Sequence, residues 1–297
     1  MTEAALRFDR SLAPNYGVAE RLSPRIERVL ACNPGPFTFR GTGTYLVGSG
    51  RSLAVIDPGP DEPAHVNALL GAIGARKVGH ILITHTHRDH SPAADALKKA
   101  TGAKTLGYGL HATRDSEGEE GGDRDFVPDV MVRDGDRIQG EGYAFECVFT
   151  PGHTSNHMCY ALKEENALFT GDHVMGWSTT VIAPPDGHMG CYFRSLEKLI
   201  ARGDRIFYPA HGSPIVKPRP FLRAYLSHRR MREGQIARAL KAGFDTAQKL
   251  KALLYPGLSP ALQRAAQLTV EAHLRHMVED GRAMSAGPGR YELRSWR

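Results

Sequence analysis

The sequence predicts a mixed α and β fold in two parts, a large unit over residues 1–218 and a small one over residues 219–297. Three observations carry that prediction. Up to Pro218, short apolar runs bounded by turn residues alternate with helix-length amphipathic stretches, so strands and helices are interleaved within one unit. Charge then changes abruptly: residues 219–297 hold fifteen Lys or Arg against six Asp or Glu, a net +9 that leaves −3 for the rest of a chain of net charge +6. At the junction, Pro214-Ile215-Val216-Lys217-Pro218-Arg219-Pro220 crowds three prolines into seven residues and interrupts regular structure. A chain of 297 residues, 41% of them hydrophobic, is long enough for one large core and one small one.

In chain order, strands are predicted over residues 44–47 and 53–56, where Leu53-Ala54-Val55-Ile56 stops at the turn Asp57-Pro58-Gly59. A helix follows over 62–73, then a buried strand over 79–84, then a helix over 92–100 that Ser91 or Pro92 opens. Further strands lie at 144–149, 167–169 and 205–208, with a helix over 194–201. The small unit reads as a long helix over 221–240, a short helix capped at Thr246, and a third helix over 260–279. In the last, Leu262, Ala266, Val270, Leu274 and Met277 recur at helical spacing. Residues 281–294 read as a hairpin.

Several classes are disfavoured. Residues 1–30 carry acids and bases throughout and contain no uninterrupted apolar stretch, so neither a signal peptide nor a membrane anchor is expected and the chain reads as cytoplasmic. Cys32, Cys147, Cys159 and Cys191 are widely spaced with no C-x-x-C pair, which suggests neither a zinc ribbon nor a disulfide framework.

The chemistry is concentrated at strand ends. The strand at 79–84 runs directly into His85-Thr86-His87-Arg88-Asp89-His90, four metal-ligand side chains within six residues. Three more hydrophobic runs stop at a ligand type: one leads into Thr150-Pro151-Gly152-His153, one into Thr170-Gly171-Asp172, and one into Pro209-Ala210-His211-Gly212. A strand end is a rigid mount, and the neighbouring glycine lets backbone pass close to a metal or substrate. Neutral imidazoles with carboxylates suit zinc, and also manganese or iron.

The order H-x-H-x-D-H, a lone His after T-P-G, an Asp in G-D and a His in P-x-H-G resembles the metallo-beta-lactamase superfamily. The resemblance covers about residues 25–216. It implies a four-layer αββα sandwich with the site at one edge of two packed sheets. It also implies two divalent metal ions, zinc by default. His85, His87 and His153 would hold the first, Asp89, His90 and His211 the second, and Asp172 would bridge them, with a metal-bridging hydroxide as nucleophile. Asp89 would also orient that nucleophile and accept its proton, so Asp89 and Asp172 are the expected catalytic carboxylates. Asp57 matches the superfamily's early aspartate, expected behind the site as a support for the histidine turn. His188 and Tyr192 are the expected substrate contacts and proton donors. His157 and His173, beside proposed ligands, are assigned no metal, and Met175, Trp177, Val181 and Ile182 are read as pocket wall.

Three helices and a hairpin in the small unit resemble a winged-helix module. Together with His228-Arg229-Arg230-Met231-Arg232-Glu233-Gly234-Gln235-Ile236, the architecture is similar to the beta-lactamase-like protein 2 family, whose animal member is a single-strand-specific endoribonuclease. That resemblance implies a hydrolase cleaving phosphodiesters in single-stranded RNA. The fifteen basic residues of the tail give modest physical support for a polyanionic substrate, with Arg229 and Arg230 as the expected guides. The alternative is a thioester hydrolase of the glyoxalase II type, which keeps the same seven ligands and acts on a small acyl thioester. Asp172 stands where the two-metal zinc beta-lactamases commonly carry a cysteine or no bridge, which disfavours antibiotic hydrolysis.

Overall fold

The computed structural model describes residues 6–111 and 121–294. The chain begins with strands β1 (Ala19–Arg21), β2 (Ile26–Leu30), β3 (Gly43–Val47) and β4 (Ser52–Ile56), then helix α1 (Pro63–Ile73) and strand β5 (Lys77–Leu82). Helix α2 (Ala93–Thr101), β6 (Lys104–Gly107), β7 (Val130–Met131), β8 (Arg137–Gly140), β9 (Tyr143–Phe149), β10 (Met158–Leu162) and β11 (Ala167–Gly171) follow. The large unit is completed by α3 (Met189–Ala201), β12 (Ile206–Pro209) and β13 (Ile215–Val216). Beyond it lie α4 (Pro218–Lys241), α5 (Ala247–Leu254), α6 (Gln263–Glu279) and the hairpin β14 (Ala283–Gly287) and β15 (Arg290–Leu293).

Strands β1 to β7 form one sheet in sequence order, and a second sheet has the order β13-β12-β11-β10-β9-β8. Ile26, Tyr45, Val47, Ile56 and Leu82 of the first sheet meet Phe145, Tyr160, Leu162, Phe169 and Tyr208 of the second in one buried layer. The opposite face of the first sheet, through Leu46, Leu53, Val55 and Ile81, packs on Leu69 and Ile73 of α1 and Leu97 of α2. The opposite face of the second, through Val148, Cys159, Leu168 and Phe207, packs on Leu196 and Leu199 of α3 and Leu222 and Tyr225 of α4. These are the four layers of an αββα sandwich. Its central strands β3, β4, β10 and β11 are buried at every residue because both sheet faces are covered.

The direction of the strands places the site. β4, β5 and β6 run parallel, as do β11 and β12, with helices as the crossovers. Asp57, the histidine turn, Asp172 and His211 therefore all lie just beyond carboxyl ends of parallel strands, where α/β sheets commonly bind ligands.

Most of the expected elements lie within a residue or two of their bounds, whereas β1, β2, β6, β7, β8, β10 and β13 are not among those expected and α4 starts at Pro218 rather than 221. Helix α3 departs most, starting at Met189 rather than 194 because the His188 side chain caps it, Nδ1 accepting from the Cys191 N–H at 3.2 Å. The small unit has the three helices and hairpin of a winged helix, built on Ile236, Ala239, Leu240, Leu250, Val270, Leu274 and Met277. Thr246 caps α5 through its hydroxyl, 3.2 Å from the Lys249 N–H. The 24-residue α4 is common to both cores: Leu222, Tyr225 and Leu226 pack under the second sheet, whereas Ile236, Ala239 and Leu240 belong to the winged helix. Among the described residues, no helix is long and apolar enough to cross a membrane.

Candidate metal centre

The histidine turn is anchored from behind by Asp57. Its Oδ1 accepts the Thr84 N–H at 2.7 Å, and its Oδ2 accepts the Thr84 hydroxyl at 2.7 Å and lies 3.0 Å from His90 Nδ1. This acid therefore fastens the end of β5 and also fixes which nitrogen His90 turns forward.

Seven side chains converge in front of it. His87 Nδ1 lies 2.9 Å from His85 Nε2 and 3.2 Å from His153 Nε2. Beside this trio, Asp89 Oδ2 lies 3.2 Å from both His90 Nε2 and His211 Nε2. Asp172 stands between the groups, with Oδ1 at 3.2 Å from His211 Nε2 and 3.6 Å from His90 Nε2, and Oδ2 at 3.9 Å from His153 Nε2. Within each of the sets His85–His87–His153, His85–His90–Asp172 and Asp89–His90–His211, the ligand atoms lie within 4.8 Å of one another. His90 Nε2 and Asp172 Oδ1 are buried with no hydrogen-bond partner, a costly arrangement that a cation between them relieves.

The rear nitrogens are engaged, which orients the rings. His85 Nδ1 lies 3.1 Å from the Thr84 hydroxyl, His153 Nδ1 2.7 Å from the Val181 carbonyl, and His211 Nδ1 3.2 Å from the Gly41 carbonyl. Burial, reinforced by neighbouring imidazoles, holds His85 and His87 well below the ordinary histidine range, as neutral rings with a lone pair to give. Burial works against the charged forms of Asp89 and Asp172, but His90 and His211 outweigh it and hold both carboxyls well below their ordinary range. Against the effect of burial, the same carboxylates raise His90 well above the ordinary histidine range and His211 to about 10, so on these two rings a binding cation must displace a proton. With that exchange the imidazoles and ionised carboxylates present fit a pair of divalent ions.

Backbone detail makes the convergence possible. Gly171 has φ +47°, and a Cβ there would sit 2.6 Å from the Thr84 hydroxyl and 2.8 Å from His157 Nε2, so only glycine lets the Asp172 turn close on the histidine turn. The His211 turn is stapled to the first sheet: Arg28 donates to the Gly212 carbonyl at 2.9 Å, the Tyr45 hydroxyl to the Pro209 carbonyl at 2.7 Å, and the Gly43 N–H to the Ala210 carbonyl at 2.8 Å. A cleft of about 260 Å³ opens over the centre, lined by Gly35, Pro36, Phe37, Thr38, Arg88, Asp89, Asp172 and His211.

Two expected substrate contacts stand elsewhere. Tyr192 is 0% exposed; its hydroxyl donates to the His173 carbonyl at 2.7 Å, so its ring is core beneath the centre and cannot meet a substrate. His188 is occupied at both nitrogens, capping α3 through Nδ1 and lying 3.2 Å from Glu279 through Nε2. His157, stacked on His85 at 5.2 Å, and His173, 4.7 Å from Tyr192, are wholly buried behind the ligands and belong to none of the ligand groups. Of the supposed pocket wall, Met175 and Ile182 are buried, Val181 serves through its carbonyl, and Trp177 stacks on Phe39 at 4.8 Å. Arg229 is not a surface cation: it is 2% exposed, its guanidinium 5.4 Å from the Tyr192 ring and 5.7 Å from that of Tyr225, and it donates to the Thr180 carbonyl. Exposed Arg230 is paired with Glu197 at 2.6 Å. Sequence reasoning passed over Thr180 and the Val181 carbonyl, because a lone threonine hydroxyl belongs to no motif and a backbone carbonyl leaves no residue-type signature.

Residues 38–211 match the family model of the metallo-beta-lactamase superfamily, and residues 246–296 that of the beta-lactamase associated winged helix domain. The lactamase-like protein nscB of Neosartorya fischeri is 37% identical over 221 residues, which cover 74% of this chain and 62% of that protein's length. The atrochrysone carboxyl ACP thioesterase of Aspergillus chevalieri is 36% identical over 242 residues, covering 80% of this chain and 73% of that one. The crystal structure of a metallo-beta-lactamase family protein from Thermus thermophilus superposes with a TM-score of 0.75 at 24% identity, covering 92% of this chain and all of the other.

Proposed function

The chain belongs to the metallo-beta-lactamase superfamily, and from that premise we propose that this hydrolase is a two-cation thioesterase, with zinc the first candidate ion. The observation that carries the two-cation part is Asp172, whose two oxygens address separate nitrogen groups. The thioester is supported by the similarity to a thioesterase over four-fifths of the chain.

Bound at these residues, two divalent cations supply a Lewis acid for the scissile carbonyl and a water acidified toward neutral pH. The protein's part is orientation. Asp89, ionised and lining the cleft, accepts a hydrogen bond from the attacking water, while Thr42 donates to its Oδ2 at 3.1 Å and keeps the carboxylate from turning. The water oxygen bonds to the acyl carbon as one of its protons passes to Asp89, the carbon–sulfur bond breaks with its electron pair on sulfur, and that proton is then returned to the departed thiolate or to solvent, giving acid and thiol. A thiolate whose conjugate acid has a pKa of about 8.5 leaves without prior protonation. The reaction therefore asks for no proton donor where the sequence sought one in His188 and Tyr192.

RNA cleavage expels an alkoxide, a far poorer leaving group; that reading comes from the resemblance of residues 228–236 and the winged-helix architecture, with the basic tail as physical support. In the structure Arg229 is internal, Arg230 is paired, and Arg232 packs 4.4 Å over the Tyr255 ring while donating to Gln235 and the Leu254 carbonyl. The deciding experiment offers a panel of acyl thioesters and a labelled single-stranded RNA to purified protein of measured metal content, with Asp172→Ala as control. Chelator-sensitive thioester turnover, missing from the control, is the expected result. RNA cleavage without thioester turnover overturns the proposal.

A further inference from the structure

Three side chains of the C-terminal helices close on one short loop of the catalytic unit. From α4, the Tyr225 hydroxyl accepts the Thr180 N–H and donates to the Thr180 hydroxyl at 3.1 Å, and Arg229 donates to the Thr180 carbonyl. From α6, the buried Thr269 hydroxyl accepts the Ile182 N–H at 3.3 Å. Two of these loop residues, Thr180 and Val181, face the metal ligands on their other side. The Thr180 hydroxyl lies 2.8 Å from the Asp172 carbonyl and 3.2 Å from that of His173, and the Val181 carbonyl takes the rear nitrogen of His153 at 2.7 Å. Thr180-Val181-Ile182 is thus a strut with the winged-helix side at one end and two ligands at the other.

We infer that Tyr225, Arg229 and Thr269 are positioning residues for the metal centre: the C-terminal helices set the distance between His153 and Asp172 through this strut. The inference rests on the two-cation reading above. Its chemistry is that of an outer hydrogen-bond layer, which fixes ligand orientation and whose loss commonly lowers metal affinity about 10–100-fold. Arg229 suits the role because two tyrosine rings flank its guanidinium and its donor ends on a carbonyl, so it cannot swing without leaving a buried charge unpaired. The part of the chain that reads as a nucleic-acid module from sequence acts here as a brace.

The test uses the full-length protein and zinc or cobalt as the probe. Tyr225→Phe and Thr269→Val keep shape and delete hydrogen bonds to the strut. Leu250→Ala removes a buried side chain from the winged-helix core without touching it, and serves as a control for general destabilisation. Thermal melts establish folding; chelator competition gives zinc dissociation constants; the visible spectrum of the cobalt-loaded protein reports ligand geometry. The expected result is a rise of about 10–100-fold in at least one dissociation constant and an altered cobalt spectrum in the strut variants, with wild-type values in Leu250→Ala. Strut variants that fold and bind metal as wild type overturn the inference, as does an equal rise in Leu250→Ala. Wild-type protein that holds two cations yet hydrolyses no thioester refutes the proposed substrate and leaves the brace standing.

Discussion

Replacing Asp57 by asparagine removes one charge at nearly constant volume, and its effect follows from which atoms reverse polarity. The amide oxygen still accepts the Thr84 N–H, now at 2.7 Å from Oδ1. At the Oδ2 position an amide nitrogen donates where the carboxylate accepted. Thr84 answers by rotating its hydroxyl, but the neutral form of His90 that a cation needs has only one ring proton to move. If Nδ1 must offer a lone pair, the proton goes to Nε2, the nitrogen 3.2 Å from Asp89 and 3.6 Å from Asp172, and a protonated nitrogen cannot ligate a cation. Exchanging a charge-assisted hydrogen bond for a neutral one costs about 1–2 kcal/mol. That agrees with the 10–100-fold, or about 1.4–2.8 kcal/mol, that loss of such a support takes from metal affinity. Chelator competition on folded Asp57→Asn, beside a melting curve of the metal-free form, measures it. Two cations bound with wild-type affinity would refute the tautomer argument.

Three further outcomes are expected. Gly171→Ala, which places a Cβ at φ +47° against the Thr84 hydroxyl, should cost about 1–3 kcal/mol and lower the metal content; wild-type metal content with unchanged melting would count against the close packing of the two turns. Burial by itself would raise the Glu233 carboxyl, but hydrogen bonds from His273, His276 and Arg282 hold it at about 2 against an ordinary 4.5. Its contribution is therefore complete above pH 4.5 and lost as pH falls through about 2, up to about 3 kcal/mol. Denaturant titrations of metal-free Glu233→Gln should show a flatter acid limb than wild type, and parallel limbs would exclude it. Removing metal should lower the melting temperature, since free ion at a thousand times its dissociation constant stabilises by about 4 kcal/mol; an unchanged melt with and without chelator would mean that the centre contributes nothing to folding.

What was legible in the sequence was whatever declares itself through residue type in a run. Strand, turn and ligand could be read at 79–90, 150–153, 170–172 and 209–212 because apolar runs end at histidine or aspartate. The αββα layers followed from the resemblance those residues carry; the residue pattern by itself indicated only a mixture of strands and helices. Burial and direction were hidden. Arg229 and Arg230 look alike as letters, yet one lies between two tyrosines and the other in solvent. Tyr192 sits one helical turn past His188 and reads as a mouth residue, but α3 begins earlier than its apolar pattern announces, which turns that ring inward. The strut was invisible for a different reason: its contacts to the ligands run mainly through peptide carbonyls, which any residue supplies.

The course of α4 governs how this chain unfolds and recombines. One rod, about 36 Å long at 1.5 Å per residue, is rooted in the sandwich at Leu222 and Tyr225 and in the winged helix at Ile236 and Leu240. Melting either end strips apolar contacts from the helix that feeds the other, so both parts should come apart in a single cooperative transition rather than as beads on a string. For the same reason the winged helix is not a detachable cassette. A crossover placed in the proline-rich junction before α4 transfers the rod away from its seat under the second sheet, whereas one at exposed Met231, between buried Arg229 and Glu233, leaves each half with its own apolar residues of α4.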